Sequence, residues 1–449
     1  MQLKEDSRNI IIIVLAGLAA LPLCFNSFGT DLDGWRMIMS GITLAEKGIY
    51  VPSRFPGYPV PELLFAGFAY TGTASILPYF SNIVVLLLSI ATALIFCTLL
   101  KESGINNRLF PALSLLFTPV YLINATAPMD YNIALFFLTA SVLFLIRQKY
   151  FISGILFGLA AASRFSSAPL FIVLLVYIPL YSRSHKLKSF SLLTGGILIS
   201  LVPFFSLLFE KYGFGFLQFY DVPYPSVVNL IGRGTVKIWG IPGVLALLFI
   251  FVSIIPSLKN RLSEIEIRSK GILFVSASII LITAIQFLFI PNESGYLIPL
   301  IPFLILIAAS YASVRQMQLF FVAVLISCLF TDIQNGTFTF SGPVVNNYFN
   351  RADDQARLEE ISALQTAGNT AIIAGNTAVK LYIFNAQFKH RKNYSSGIFE
   401  IVNKNALDKI INDYRAVYCL PEARDEILEE HGYDVTGVSL KIKVYGAPI

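Results

Sequence analysis

The sequence predicts a polytopic α-helical membrane protein carrying a small α/β domain at its C-terminal end. Three observations predict it. Of 449 residues, 55% are hydrophobic and only 13% charged, with a mean hydropathy of +0.69; an ordinary soluble chain is about 25% charged. Apolar runs long enough to cross roughly 30 Å of hydrocarbon recur as far as residue 331. Beyond that point the chain turns charged, and short strand-like and helix-like stretches replace the long apolar runs.

The N-terminal "MQLKEDSRN" leads into "IIIVLAGLAALPLCF". This run is long and lacks a small-x-small cleavage site, so it reads as a retained first span. Spans are expected near 10–28, 76–100, 109–127, 130–147, 151–166, 167–182, 189–209, 239–258, 271–290, 295–313 and 316–331, about eleven. Only Arg164 and a Ser pair separate 151–166 from 167–182, so one broken helix is the alternative there. One set of connections is short and densely basic, with Lys4, Arg8, Lys101, Arg108, Arg147, Lys149, Lys186 and Lys188 among others; it is assigned to the cytoplasmic side. The N-terminus is then cytoplasmic and the C-terminal domain outside, in the plasma (inner) membrane if the host is prokaryotic. The net charge of +6 serves this orientation; it is not read as nucleic-acid binding. Cys24, Cys97 and Cys328 lie in apolar runs and Cys419 in the tail. No CxxC occurs and the three histidines are scattered, so no disulfide, zinc or haem site is expected.

Two outer segments stand apart from the spans. The tail, 332–449, reads as the α/β domain, with strands at "TAIIAG", "AVYCL" and "VSLKIKVYG" and helices at "ALDKIINDY" and "EARDEILEEHG"; residues 1–331 form the transmembrane domain. The other segment is the first outer loop, 29–75. In "TDLDGWRMIMSGITLAEKG", Trp35, Ile38, Met39, Ile42 and Ala45 fall on one helical face, and Gly48 is a natural stop. The pattern predicts an amphipathic helix lying on the membrane surface. Asp33 is its natural N-cap, which leaves Asp31 without a capping role. The helix dipole favours ionised carboxylates here, suiting a base or a metal ligand. In "GIYVPSRFPGYPVPELLFAGF", four prolines impose a stiff, extended course that fixes Arg54, Tyr58 and Glu62.

At this point the residues carry a resemblance. "TDLDGWRM…LAEKGIYVPSRFPGYPVPELL" is similar to the first outer loop of the GT-C class of polytopic glycosyltransferases, which use lipid-phosphate-linked sugars, as the dolichyl-phosphate-mannose-dependent mannosyltransferases do. "APMDYNIALFFLTASVLFLIRQKYFISGILFGLAAASRFSSAPLFIVLL" and "IPNESGYLIPLIPFLILIAA" resemble later segments of the same class. The three matches run in order through most of the first 310 residues.

The resemblance implies a membrane hexosyltransferase moving a sugar with inversion from a polyprenyl-phosphate donor to an acceptor hydroxyl on the extracytoplasmic face. The acceptor is a glycan, lipid or protein. Asp31 or Asp33 would be the general base, Asp31 being favoured. Asp130 would contact the acceptor or a metal, and Arg164, Glu293 and Tyr296 the donor head group. Arg54, Tyr58 and Arg233 complete the expected substrate-binding set, and Lys211 and Lys237 are further cation candidates. No cofactor is required. Whether a divalent cation (Mg or Mn) sits on Asp31, Asp33 and Asp130 is left open, because two acids two residues apart can bind one. A phosphate can depart without the proton a glycosidase must give its leaving group, provided cations hold its charge. Each residue also has a plain structural role: N-cap for Asp130, snorkelling for Arg164. The alternative reading of the whole chain is a transporter or lipid-linked sugar flippase, which would place its acids at the bilayer midplane.

Overall fold

A computed structural model describes residues 2–445 except 71–76, 183–184, 218–222, 256–266, 335–336, 367–368, 390 and 440. The loop basics Arg183, Lys259 and Arg261 and the aromatic residues Phe219 and Tyr220 therefore lie outside the described residues. The first twelve α-helices are α1 (Gln2–Leu18), α2 (Leu32–Lys47), α3 (Pro59–Tyr70), α4 (Leu77–Glu102), α5 (Leu109–Leu116), α6 (Pro119–Ala125), α7 (Asp130–Ile146), α8 (Tyr150–Ser163), α9 (Phe171–Tyr181), α10 (Lys186–Tyr212), α11 (Val227–Gly234) and α12 (Val236–Ile254). The helices Ile267–Phe289, Ile301–Tyr311 and Val314–Leu329 follow.

Among the described residues, six helices are long and apolar enough to cross a membrane: Asp6–Phe25, Tyr79–Glu102, Lys186–Gly215, Val236–Ile254, Ser269–Phe289 and Ser294–Tyr311. α6 and α7, bent by 105° across their break, make a seventh if the pair is one span. Tyr150–Ser163, Phe165–Tyr181 and Val314–Leu329 are shorter apolar helices. The protein is an integral membrane protein by these helices.

Two breaks position the site. Residues 109–127, read as one span, are two helices, because Pro119 has no N–H to continue the ladder and holds Thr118 extended (φ −61°, ψ 122°). The second break falls at Arg164, extended at φ −155° and ψ 111° between α8 and a 3-10 helix, Phe165–Leu170. The 151–182 stretch is thus two helices with an arginine at the joint.

α8 lies against α10 at backbone contact. A Cβ on Gly154 would stand 2.1 Å from the Leu193 carbonyl oxygen, and one on Gly196 would stand 2.4 Å from that of Phe151. Small residues four apart, Gly154 and Gly158, let two membrane helices approach this closely. Gly154→Ala must push the helices apart, and we expect a loss of about 1–3 kcal/mol, read as a lowered Tm in detergent. An unchanged Tm would mean that the close approach contributes nothing.

The chain after 331 forms an antiparallel pair, β1 (Asp332–Gln334) with β2 (Thr337–Thr339), then the helix Pro343–Thr366. A four-stranded parallel sheet follows, in the order β4 (Ile398–Phe399), β3 (Thr370–Ile373), β5 (Ala416–Cys419), β6 (Ile442–Val444). The helices Thr377–Ile383, Lys404–Asp413 and Pro421–His431 connect these strands. Strand β4, two residues long, has no signature in the sequence.

One apolar core fills the helix bundle, from Ile13 through Leu135 and Phe157 to Phe320. A second joins Trp35, Met37 and Ile42 of α2 to Ile372, Leu381 and Val417 of the C-terminal sheet and its helices. This corrects the expectation of a helix lying on lipid. The apolar face of α2 packs on α3 and the helix Thr377–Ile383, and Trp35 is fully buried, its indole N–H donating to the Gly29 carbonyl (2.8 Å). Periodicity defines an apolar face, but not whether lipid or protein covers it.

Candidate active site

The site is built where the end of the first span, the start of α7, the α8 joint and the turn before residue 294 converge. α2 ends as the sequence predicts, with Gly48 in the left-handed conformation (φ 66°) and its N–H on the Leu44 carbonyl. Its start corrects the expectation. The N-cap is Asp31, whose carboxylate accepts from the Asp33 backbone N–H (2.9 Å). Asp33 lies inside the first turn instead. Two residues of register exchange the two roles: Asp31 is exposed and committed to the cap, while Asp33 is turned inward and half-buried.

The Pro-rich stretch delivers Arg54. Glu62, fully buried at the start of α3, fixes that stretch by accepting from the Tyr50 hydroxyl, the Ser53 N–H (2.6 Å) and the Tyr58 N–H (3.3 Å). Burial pushes its carboxyl above the usual range, against those hydrogen bonds. Arg54 then bridges two acids, its Nε 3.2 Å from Asp33 and its Nη2 3.1 Å from Asp130. Its guanidinium stacks over the Tyr58 ring at 4.2 Å.

Asp130 is the first residue of α7 and makes no cap; its fully buried carboxylate sits between Arg54 and Arg164. Arg164, 5% exposed, does not snorkel. It pairs with Asp130 and lies over the rings of Tyr131 (3.8 Å) and Tyr296 (4.9 Å). The two arginines retain buried N–H groups without an acceptor, at Nη1 of Arg54 and Nε of Arg164. Glu293 accepts from the Tyr131 hydroxyl.

Burial, first, pushes the Asp33 carboxyl up to about 6; Arg54 opposes this, and Asp31, Glu293 and Asp130 reinforce it. The nearest carboxylate oxygens of Asp31, Asp33 and Glu293 lie within 4.8 Å of one another. The third acid of this group is thus Glu293, not the expected Asp130, which the arginines hold. Asp33 is paired with Arg54 and, at 3.7 Å, with Arg36, so the protein supplies part of the balancing charge, while three carboxylates this close are also a donor set of the kind a divalent cation takes.

Of the other expected residues, Arg233 stands outside this cluster and donates to the Pro291 carbonyl (2.7 Å), bracing the turn before Glu293. Lys211 donates to the Tyr50 carbonyl (3.3 Å), and Lys237 lines a cavity of about 470 Å³ beside Ser294. Sequence reasoning missed Tyr131, although it directly follows Asp130. It also missed the C-terminal residues that hold the Thr30 turn. Lys380 donates to the Thr30 carbonyl (3.4 Å), Asn347 to its hydroxyl (3.2 Å), and Asn376 accepts from Arg36 (3.0 Å).

An apolar helix bundle with a long first outer loop, and acids and arginines gathered at one end, defines the class: the fold is GT-C-like. It resembles the crystal structure of ArnT from Cupriavidus metallidurans bound to undecaprenyl phosphate, with a TM-score of 0.52 at 14% identity over 84% of this chain and 68% of that one. The apo state of the same protein matches at a TM-score of 0.50 and 13% identity, over 84% of this chain and 71% of that one. At such identity the likeness is one of fold. No family model and no curated protein matches the sequence.

Proposed function

We propose that this protein is a membrane glycosyltransferase that moves a sugar from a polyprenyl-phosphate-linked donor to an acceptor hydroxyl on the extracytoplasmic face, with Asp33 as general base. The observation that carries the reading is Arg54, a single guanidinium bridging Asp33 and Asp130, with Arg164 on the far side of Asp130. A base and two cations then stand at one end of the bundle. Its fold neighbour, crystallised with undecaprenyl phosphate, supports the donor class. About eleven crossings, with the α/β domain of 332–449 outside the membrane, belong to the same proposal.

The reaction follows from the groups present. Asp33 takes the acceptor hydroxyl proton as that oxygen attacks the anomeric carbon. The bond from the anomeric carbon to the phosphate oxygen breaks, and its electron pair leaves on the phosphate. No acid is needed, because the guanidinium charges of Arg54 and Arg164 stand close to the base to hold the departing charge. Asp130 holds the two guanidinium groups together against their repulsion. One displacement inverts the anomeric centre. Asp33 is preferred to Asp31 because the carboxylate of Asp31 is engaged at the cap, whereas Asp33 is half-buried and has a raised pKa, nearer to that of an effective base at neutral pH.

The pH profile tests the assignment. A base works deprotonated, so the transfer rate should climb as pH rises through about 6 and then level off. Initial rates with radiolabelled polyprenyl-phosphate sugars in membranes measure this. A rate that is flat through this region, or falls with rising pH, would remove Asp33 from the role.

A further inference from the structure

The end of the bundle away from the acid cluster carries a second built feature. Arg147 follows α7 at the end opposite Asp130, roughly 25 Å away along the helix axis. A cavity of about 460 Å³ opens there, lined by Asp6 and Asn9 of α1, Cys97 and Lys101 of α4, and Arg108 and Arg147. Asp6 accepts from both Lys101 and Arg108, and Glu102 accepts from Arg147. These pairs leave the lining with three cations against two acids.

The unused donors matter more than the net charge. Arg108 is 7% exposed, and its Nε is buried without an acceptor. Lys101 commits one of its three N–H bonds to Asp6, and Arg147 commits only Nε and Nη2 to Glu102. Both side chains are about half exposed. An anion in the cavity can therefore be held by the remaining N–H groups of Lys101 and Arg147 without breaking an existing ion pair, with the buried charge of Arg108 behind them. The same cavity has an apolar wall of Ile10 and Leu94, and Ile10 is itself exposed on the outer surface of α1. Donors at a rim above a greasy wall match a molecule with an anionic head and hydrocarbon chains.

We propose that this cavity binds the phosphodiester head group of an anionic phospholipid, in the leaflet opposite the acid cluster. The phosphate oxygens take the spare N–H groups of Lys101 and Arg147 beside the buried charge of Arg108, and the acyl chains run along Ile10 and Leu94. Clusters of basic residues at a membrane surface attract such lipids at roughly 1 kcal/mol per cation, and a pocket with a buried arginine adds geometry to that attraction. The site makes no use of the proposed transfer reaction and stands or falls apart from it.

Native mass spectrometry of the full-length protein tests it, with phosphatidylglycerol, phosphatidylcholine or inorganic phosphate added to the purified, delipidated sample. The wild type should retain phosphatidylglycerol in preference to phosphatidylcholine, and its Tm should rise only with the former. Two variants separate the donors from the fold: the double substitution Lys101→Gln and Arg147→Gln, and the single substitution Arg147→Gln, both at half-exposed positions. The double variant should weaken phosphatidylglycerol retention at least about tenfold and the single variant about fivefold. If the double variant does not fold, Arg147→Gln decides. Equal retention of the two lipids by the wild type, or full retention by the folded variants, overturns the proposal. Protection by inorganic phosphate equal to that by phosphatidylglycerol also overturns it, since a free anion would then suffice.

Discussion

Asp33→Asn should leave the protein folded and lower sugar transfer about a thousandfold, within the 10²–10⁴ range that a positioned base contributes. Asn keeps the size of the side chain and its place in the first turn of α2, and Arg54 keeps its second partner, Asp130. What is lost is the group proposed to take the acceptor proton. The paired control is Asp31→Asn. Asn ranks with Asp as an N-cap, so the cap onto the Asp33 N–H survives and activity should stay within about tenfold of wild type. Initial rates for the two variants, with Tm as a check on folding, separate the roles of two acids only two residues apart. Full activity in Asp33→Asn, or an equal collapse in both variants, would refute the assignment.

Arg351→Met should destabilise the joint between the helix bundle and the C-terminal region by about 3 kcal/mol or more. Arg351 is 2% exposed on the helix Pro343–Thr366 and reaches across the joint. It donates to the Thr126 carbonyl (2.8 Å), the Ile123 carbonyl (3.2 Å), the Leu23 carbonyl (3.3 Å) and the Thr126 hydroxyl (3.3 Å). None of these is a carboxylate. Ile123 and Thr126 close α6, and Leu23 lies in the 3-10 helix Leu21–Phe25, where outward-pointing carbonyls carry partial negative charge. Burial without a counter-ion pulls the guanidinium pKa down to about 10, so it stays charged at neutral pH. Met fills the volume but leaves these acceptors buried and unpaired. Lys restores charge with fewer donors and should recover only part of the loss. Thermal unfolding and limited proteolysis after residue 331 read the effect. Because the same region holds the Thr30 turn through Lys380 and Asn347, transfer should fall together with stability. A wild-type Tm and proteolysis pattern would show that the clamp carries no energy.

Local signals were legible wherever the physics is local. Long apolar runs became α4, α10 and Ile267–Phe289; Gly48 ended α2; the β-branched "TAII" became β3. The errors have local causes too. Either Asp31 or Asp33 could cap α2 by composition, and the helix began two residues earlier than the pattern implied. That shift exchanged the exposed acid for the half-buried one. The apolar face of α2 was read correctly while its covering was not, since lipid and a protein core satisfy the same pattern.

The site acids and arginines were named from the sequence, but their partners were not. Asp130 meets Arg54 across 76 residues of chain and Arg164 across 34, and no periodicity relates positions so far apart. Arg351, in "YFNRADDQ", looks like any surface arginine. The sequence by itself determined that this chain enters a membrane, where α2 ends, and which few charged residues stand in conspicuously apolar surroundings, because each of these is decided by hydrophobicity and backbone chemistry within a few turns. Only the tertiary structure decided which acid faces inward, which arginine bridges which carboxylates, and what covers α2, because those depend on long-range packing that brings distant segments together.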